Sequence, residues 1–184
     1  MRTGHGDTYD FRGRDQVIYN LLSHTNTSVN ALFQHADYIS PGARRKLVHG
    51  SYMRAAYFTI ITNASRALHA EYAASRPLSA RVSVDGEQAP DMALGGRSQI
   101  TVDDVGLSLE GRTLRVRTPK WFIGVSSKVT PSILGAKSCA TGRCILNVRL
   151  APRFDTKHAK VAPHGLIGQS YDADDIAVIG KVGP

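Results

Sequence analysis

The side chains best suited to chemistry fall into a few groups. Arginines alternate with apolar residues in two segments. Thr113, Arg115 and Arg117 oppose Leu114 and Val116, while Arg143, Asn147 and Arg149 oppose Cys144, Leu146, Val148 and Leu150. A guanidinium forks onto carboxylate, sulfate or phosphate, so two such strands in one sheet present an anion-binding surface, whereas on separate sheets the patch disappears. Arg44, Arg45 and Lys46, close to His49, form a further basic cluster. Near the other end Asp172, Asp174 and Asp175 crowd together. They would offer oxygen ligands to calcium, but the string lacks the glycine and distal glutamate of an EF-hand loop, and a solvated acidic turn is the alternative reading.

Cys139 and Cys144 flank a short stretch in which Gly142 allows a tight turn. Either they form a disulfide, which implies an oxidising compartment, or they are two reduced thiols. None of the 7 histidines stands in an HxH or HxxxH pair. There is also no GxSxG elbow and no Walker or dinucleotide glycine loop. What catalytic reading survives is a hydrolase or lyase that uses His164 with Asp172 or Asp174.

The elements that must position these groups follow from composition and periodicity. The 184 residues carry 42% hydrophobic and 21% charged side chains, which excludes a disordered, collagenous or coiled-coil chain and suits one domain over residues 1–184. No stretch approaches the roughly 18 apolar residues of a membrane-spanning helix, so membrane insertion is not expected. Met1, Arg2, Gly4 and Asp7 do not begin an apolar export signal, which fits a module of a longer protein. A net charge of +8 favours nucleic acid, acidic polysaccharide or acidic protein as partner, with an ordinary soluble basic surface as the plain alternative.

Most of the chain alternates with a period of two, in short runs broken by Gly, Asn, Asp and Pro, which predicts strands. Val17, Tyr19 and Leu21 share one face; Val29, Ala31 and Phe33 repeat the pattern after a polar break. Asp85-Gly86 follows Ala80, Val82 and Val84 as a hairpin turn, and Glu110-Gly111 divides a second hairpin over Val105 to Arg117. Trp121 to Val125 and Cys144 to Leu150 supply further strands. The run Met53 to Ile61 is apolar on both faces, as a central strand covered on both sides would be. Ala64, Ala67, Leu68 and Tyr72 recur at helical spacing, which favours a short helix over 64–75 unless strand context overrides it. Pro152 to Pro163 reads as a loop. The expected fold is mainly β, an antiparallel sandwich or flattened barrel of about ten short strands. Its core would draw on Val17, Tyr19, Leu21, Phe33, Tyr57, Phe58, Trp121, Leu146 and Val148.

The most specific string is His164-Gly165-Leu166-Ile167-Gly168-Gln169. Its two glycines fit a tight backbone crossing that sends Leu166 and Ile167 into the core. Earlier in the chain stand Gly6-Asp7-Thr8-Tyr9-Asp10-Phe11-Arg12-Gly13 and Val17-Ile18-Tyr19-Asn20-Leu21-Leu22. In this order, over roughly Gly6 to Ala177, the motifs resemble a divergent von Willebrand factor type D-like domain, and more closely the plant root-cap and late-embryogenesis-related proteins.

The resemblance implies a noncatalytic, secreted or cell-surface β module that acts in adhesion, matrix assembly or protein contact. It departs from the type D pattern at His164-Gly165-Leu166-Ile167-Gly168, which holds neither cysteine of the family's Cys-Gly-Leu-Cys-Gly motif, and at Thr8, where some members have proline. Multimerisation by disulfide exchange therefore does not carry over, and the family's calcium ligands do not map cleanly onto Asp172, Asp174 and Asp175. The leading expectation is an interaction or structural module with a protein or acidic-polysaccharide partner. The alternative is a polyanion-binding protein, nucleic acid included, acting through Arg44, Arg45, Lys46, Arg115, Arg117, Arg143 and Arg149.

Overall fold

Short runs of alternating side chains become twelve strands of one antiparallel sheet in the computed structural model, which describes residues 11–39, 46–74, 79–89, 92–93, 97–129, 144–154 and 160–171. In chain order these are β1 (Val17–His24), β2 (Thr27–Ile39), β3 (Leu47–Ile61), β4 (Ala67–Ala73), β5 (Ser79–Val84) and β6 (Glu87–Gln88). They continue with β7 (Met92–Ala93), β8 (Arg97–Val102), β9 (Val105–Glu110), β10 (Thr113–Arg117), β11 (Trp121–Val129) and β12 (Cys144–Pro152). A 3-10 turn, Gly168–Tyr171, follows.

The long strand β3 organises the molecule. One of its edges is taken by β2 from Thr27↔Ile60 to Ile39↔Leu47. The other edge is shared: the C-terminal half of β3 pairs with β4, and Met53 pairs with Leu146 of β12. Arg54 sits at this fork. Its carbonyl accepts from the amide of Ala74 at 2.7 Å, and its guanidinium donates to the carbonyl of Cys144. From the fork one wing runs through β4 and β5, and the other through β12, β11, β10, β9 and β8. The sheet curls into a half-barrel, and its inner side chains meet in one core. Tyr72 ties the wings together by donating its hydroxyl to the carbonyl of Arg112 at 2.9 Å.

The turns use the expected residues. Asp85 and Gly86 both take positive φ, 53° and 86°, as a tight hairpin requires. The hairpin Val102-Asp103-Asp104-Val105, with Asp103 at φ 52°, and the strand β8 before it add to the expected elements.

Three expectations need correction. Residues 67–73 are strand β4 rather than part of a helix over 64–75. Leu68, Ala70, Tyr72 and Ala74 are buried at a spacing of two, and pairing on both edges, with β3 and β5, outweighs the helix propensity of alanine. Val17 is exposed, not core: it pairs with buried Phe33 and so keeps the inward parity, but it opens the edge strand β1, where little covers it; further along, the register shift between Asn20 and Leu22 is a bulge that turns both Leu21 and Leu22 inward. In Met53–Ile61 the inward side chains Ala56, Phe58 and Ile60 are buried, while Tyr57 and Thr59 on the outer face are only half covered. Of the expected core, Leu21, Phe33, Phe58, Trp121 and Leu146 are buried, and Tyr19, Tyr57 and Val148 are half-buried. Within Pro152 to Pro163, Pro152 still belongs to β12.

Candidate anion-binding site

Inward packing on the β8 to β12 wing dictates what faces out. Val105, Leu107 and Leu109 of β9, Leu114 and Val116 of β10, and Trp121, Ile123 and Val125 of β11 are all buried. Strand alternation therefore turns Gly106, Ser108, Arg115, Arg117, Phe122 and Gly124 outward. Strand register then aligns them. Gln99, Ser108, Arg115, Gly124 and Arg149 form one cross-strand row, and Thr101, Gly106, Arg117, Phe122 and Ala151 form the next. The two arginine-bearing strands are thus in one sheet, separated by β11, whose Gly124 leaves the gap between Arg115 and Arg149 without a side chain.

A cavity of about 410 Å³ lies over this bed, lined by Arg115, Arg117, Arg149, Phe122 and the two glycines among others. It is of small-ligand size. Arg115 is paired with Glu110. Arg117 and Arg153 lie over the Phe122 ring, at 5.8 and 4.8 Å from its centroid, and Arg153 also donates to the carbonyl of Thr118 at 2.6 Å. Such cation–π contacts hold guanidiniums in place without neutralising them. Among the described residues no carboxylate forms an ion pair with Arg117, Arg149 or Arg153. A second recess, of about 460 Å³ over β3 to β5, is different: there Glu71 stands directly opposite Arg81, so its charges offset each other.

The remaining predicted residues fall elsewhere. Lys46 is exposed just before β3 and does not line the cavity. Arg44, Arg45, Arg143, Cys139, Gly6, Asp7, Tyr9, Asp10, Asp172, Asp174 and Asp175 lie outside the described residues. Cys144 is fully buried at the start of β12.

His164, Gly165, Gly168 and Gln169 form a structural crossing. The backbone of His164 exchanges two 2.8 Å hydrogen bonds with Ser23, and the amides of Leu166 and Ile167 donate to the carbonyls of Asn20 and Leu21. Gly165 has φ 97° and passes against the backbone of Leu21. Ile167 is buried, Leu166 half-buried, and the His164 and Gln169 side chains are exposed.

The other concentration of chemistry is buried. The Trp121 indole N–H donates to His24 Nδ1 at 3.1 Å, and His24 Nε2 lies 3.1 Å from the carbonyl of Val161. An indole only donates and a carbonyl only accepts, so the imidazole is neutral with its proton on Nε2. Phe154 stacks on His24 at 4.9 Å, and Tyr171 packs edge-on against Trp121. Burial pushes the His24 pKa down, nearby Lys120 and His164 add to this, and the Val161 carbonyl opposes it. With both ring nitrogens engaged, this histidine locks the core. Among the described residues no three His, Cys, Asp or Glu side chains gather as a metal site.

Sequence reasoning found Arg115, Arg117 and Arg149 and missed Gly106, Phe122, Gly124 and Arg153. The outward direction of Phe122 and Gly124 was readable from the parity of Trp121, Ile123 and Val125, and that of Gly106 from Leu107 and Leu109; the alignment across five strands was not. No protein-family model, curated protein or solved structure matches the chain.

Proposed function

We propose that this chain is a noncatalytic binding module, secreted or displayed at a cell surface, that holds an acidic polymer on the outer face of β8 to β12. The observation that carries this reading is the cross-strand alignment of Arg115, Gly124 and Arg149 beside Arg117, with no carboxylate paired to Arg117 or Arg149 among the described residues. Preorganised guanidiniums on a rigid sheet gain Coulomb attraction without the entropy loss of ordering flexible loops. The order of the type D-like motifs supports a module of this kind, and so does the close spacing of Cys139 and Cys144 if the two are bridged. Intact mass under reducing and non-reducing conditions reads that bridge directly.

Retention on an immobilised acidic polysaccharide, measured against salt, tests the proposal. Counterion release gives a slope of about 0.7–0.9 per engaged cation, so replacing Arg115, Arg117 and Arg149 together by alanine should lower it by about two to three. The Lys46→Ala variant should keep the wild-type slope. Failure of the wild type to bind at low salt, or co-elution of the triple variant with it, overturns the reading.

A further inference from the structure

Charge alone does not need a cavity; a flat basic face would attract any polyanion. Here the face is recessed at a defined place, because Gly106 and Gly124 occupy outward positions in the middle of the arginine rows. Neither glycine is required by its backbone or by crowding: each φ lies outside the positive region, and a Cβ built at either position meets nothing within 4 Å. Glycine inside a strand weakens it and often marks a place where another molecule comes close. Two of them in one cavity, bordered by guanidiniums, are accounted for by a ligand that uses the space.

We propose that the hollow over Gly124 is a subsite for one anionic sugar ring of an acidic polysaccharide, seated between Arg115 and Arg149 with its acid group held by these and Arg117. This rests on the binding-module reading above and adds the ligand class and its seat. The dimensions fit. Strands lie about 4.8 Å apart, so the backbones of Arg115 and Arg149 stand about 10 Å from one another across Gly124, and Arg117 lies about 7 Å further along β10. A single ring fills that span and leaves its carboxylate or sulfate within guanidinium reach. Ser108 and Gln99, in the same row, supply neutral donors and acceptors for ring hydroxyls.

Nucleic acid suits the site less well. Single strands are held by successive bases stacked on several aromatic rings, and the described lining of this cavity offers one, Phe122, whose ring already engages Arg117 and Arg153. A duplex is too broad to enter the hollow. Phe122 is 48% exposed and acts as a prop for two cations at the rim.

The test fills the hollow without touching a charge. Gly124→Val places a β-branched residue in a strand, where it suits the pleat, so the variant should melt at or above the wild-type temperature. Binding of the whole chain is measured by calorimetry with an oligogalacturonate, which bears carboxylates only, and with a heparin oligosaccharide, which bears sulfates as well. Wild type should bind at least one of them, which identifies the acid group, and Gly124→Val should weaken that binding at least tenfold while its salt slope on the resin stays within one unit of wild type. Gly106→Val, at the other end of the hollow, serves if Gly124→Val does not fold. Wild-type affinity in the filled variant overturns the subsite but leaves the binding module standing. Displacement of the sugar by poly-glutamate or a single-stranded oligonucleotide at equal charge overturns the assignment to a sugar ring.

Discussion

Replacing Gly165 by alanine should break the crossing that pins the chain's later segment to β1. A Cβ at this position would lie 2.5 Å from Asn20 Oδ1 and 2.7 and 2.9 Å from the carbonyl carbon and oxygen of Leu21. The last two are backbone atoms and have no rotamer into which to retreat. The φ of 97° adds strain for any side chain, of about 1–3 kcal/mol. Relief means moving the segment off β1, which sacrifices the bonds from Leu166 and Ile167 to Asn20 and Leu21, at about 0.5–1.5 kcal/mol each. The loss is then about 2–6 kcal/mol, a large part of the 5–15 kcal/mol that holds an ordinary domain together. Gly168→Ala makes the internal comparison. Its Cβ would meet Leu22 Cδ1 at 3.1 Å, the tip of a side chain whose rotation costs about 0.5–1.5 kcal/mol. In urea unfolding, with a slope near 2 kcal/mol per molar, Gly165→Ala should lower the midpoint by about 1 M or more and Gly168→Ala by clearly less. Equal midpoints for the two variants, or a wild-type midpoint for Gly165→Ala, would refute the account of this crossing.

Further expectations concern the core. His24 has a folded-state pKa below its value in the unfolded chain, so its contribution to stability is complete above about pH 6.5 and is lost as the pH falls toward the folded value. Urea midpoints between pH 7.5 and 5.5 should therefore decline more steeply for wild type than for His24→Gln; parallel profiles would count against the neutral, doubly bonded imidazole. Tyr72→Phe removes the bond to the Arg112 carbonyl that joins the two wings and should cost about 0.5–1.5 kcal/mol in the same assay, the net worth of one bond, since the carbonyl keeps the Ser127 amide at 2.9 Å. Phe58→Ala, at 1% exposure, should cost about 3–5 kcal/mol, and wild-type-like unfolding would show that the core is not centred on β3.

The β class was readable because inward side chains recur every second residue and Asp85-Gly86 and Glu110-Gly111 punctuate the runs. The 67–73 segment misled because small alanines satisfy either period; pairing with β3 and β5 decides between them, and that is information about distant strands. Val17 has the inward parity that alternation gives it, opposite buried Phe33, but its place at the start of an edge strand leaves it uncovered, and alternation does not say which strand is an edge. The bulge at Leu21, which adds Leu22 to the core, is likewise announced by no residue type. The strand β8 was hidden because Arg97 to Val102 is polar in its first half. At the site, the direction of the arginines follows from local alternation, whereas the alignment of Arg115 with Gly124 and Arg149 follows from register across strands, which local sequence does not encode.

Trp121 is the chain's single tryptophan, and its indole N–H ends on an imidazole. Its ultraviolet emission is thus an unlabelled optical gauge of one small region: blue-shifted while the seam between β1, β11 and the segment carrying Val161 stays dry, and quenched when the imidazole gains a proton. Phe122, its neighbour on the opposite side of the sheet, touches the proposed sugar seat. One native chromophore can therefore distinguish opening of the interior from events on the outer face, since only the former strips it of its nitrogen acceptor.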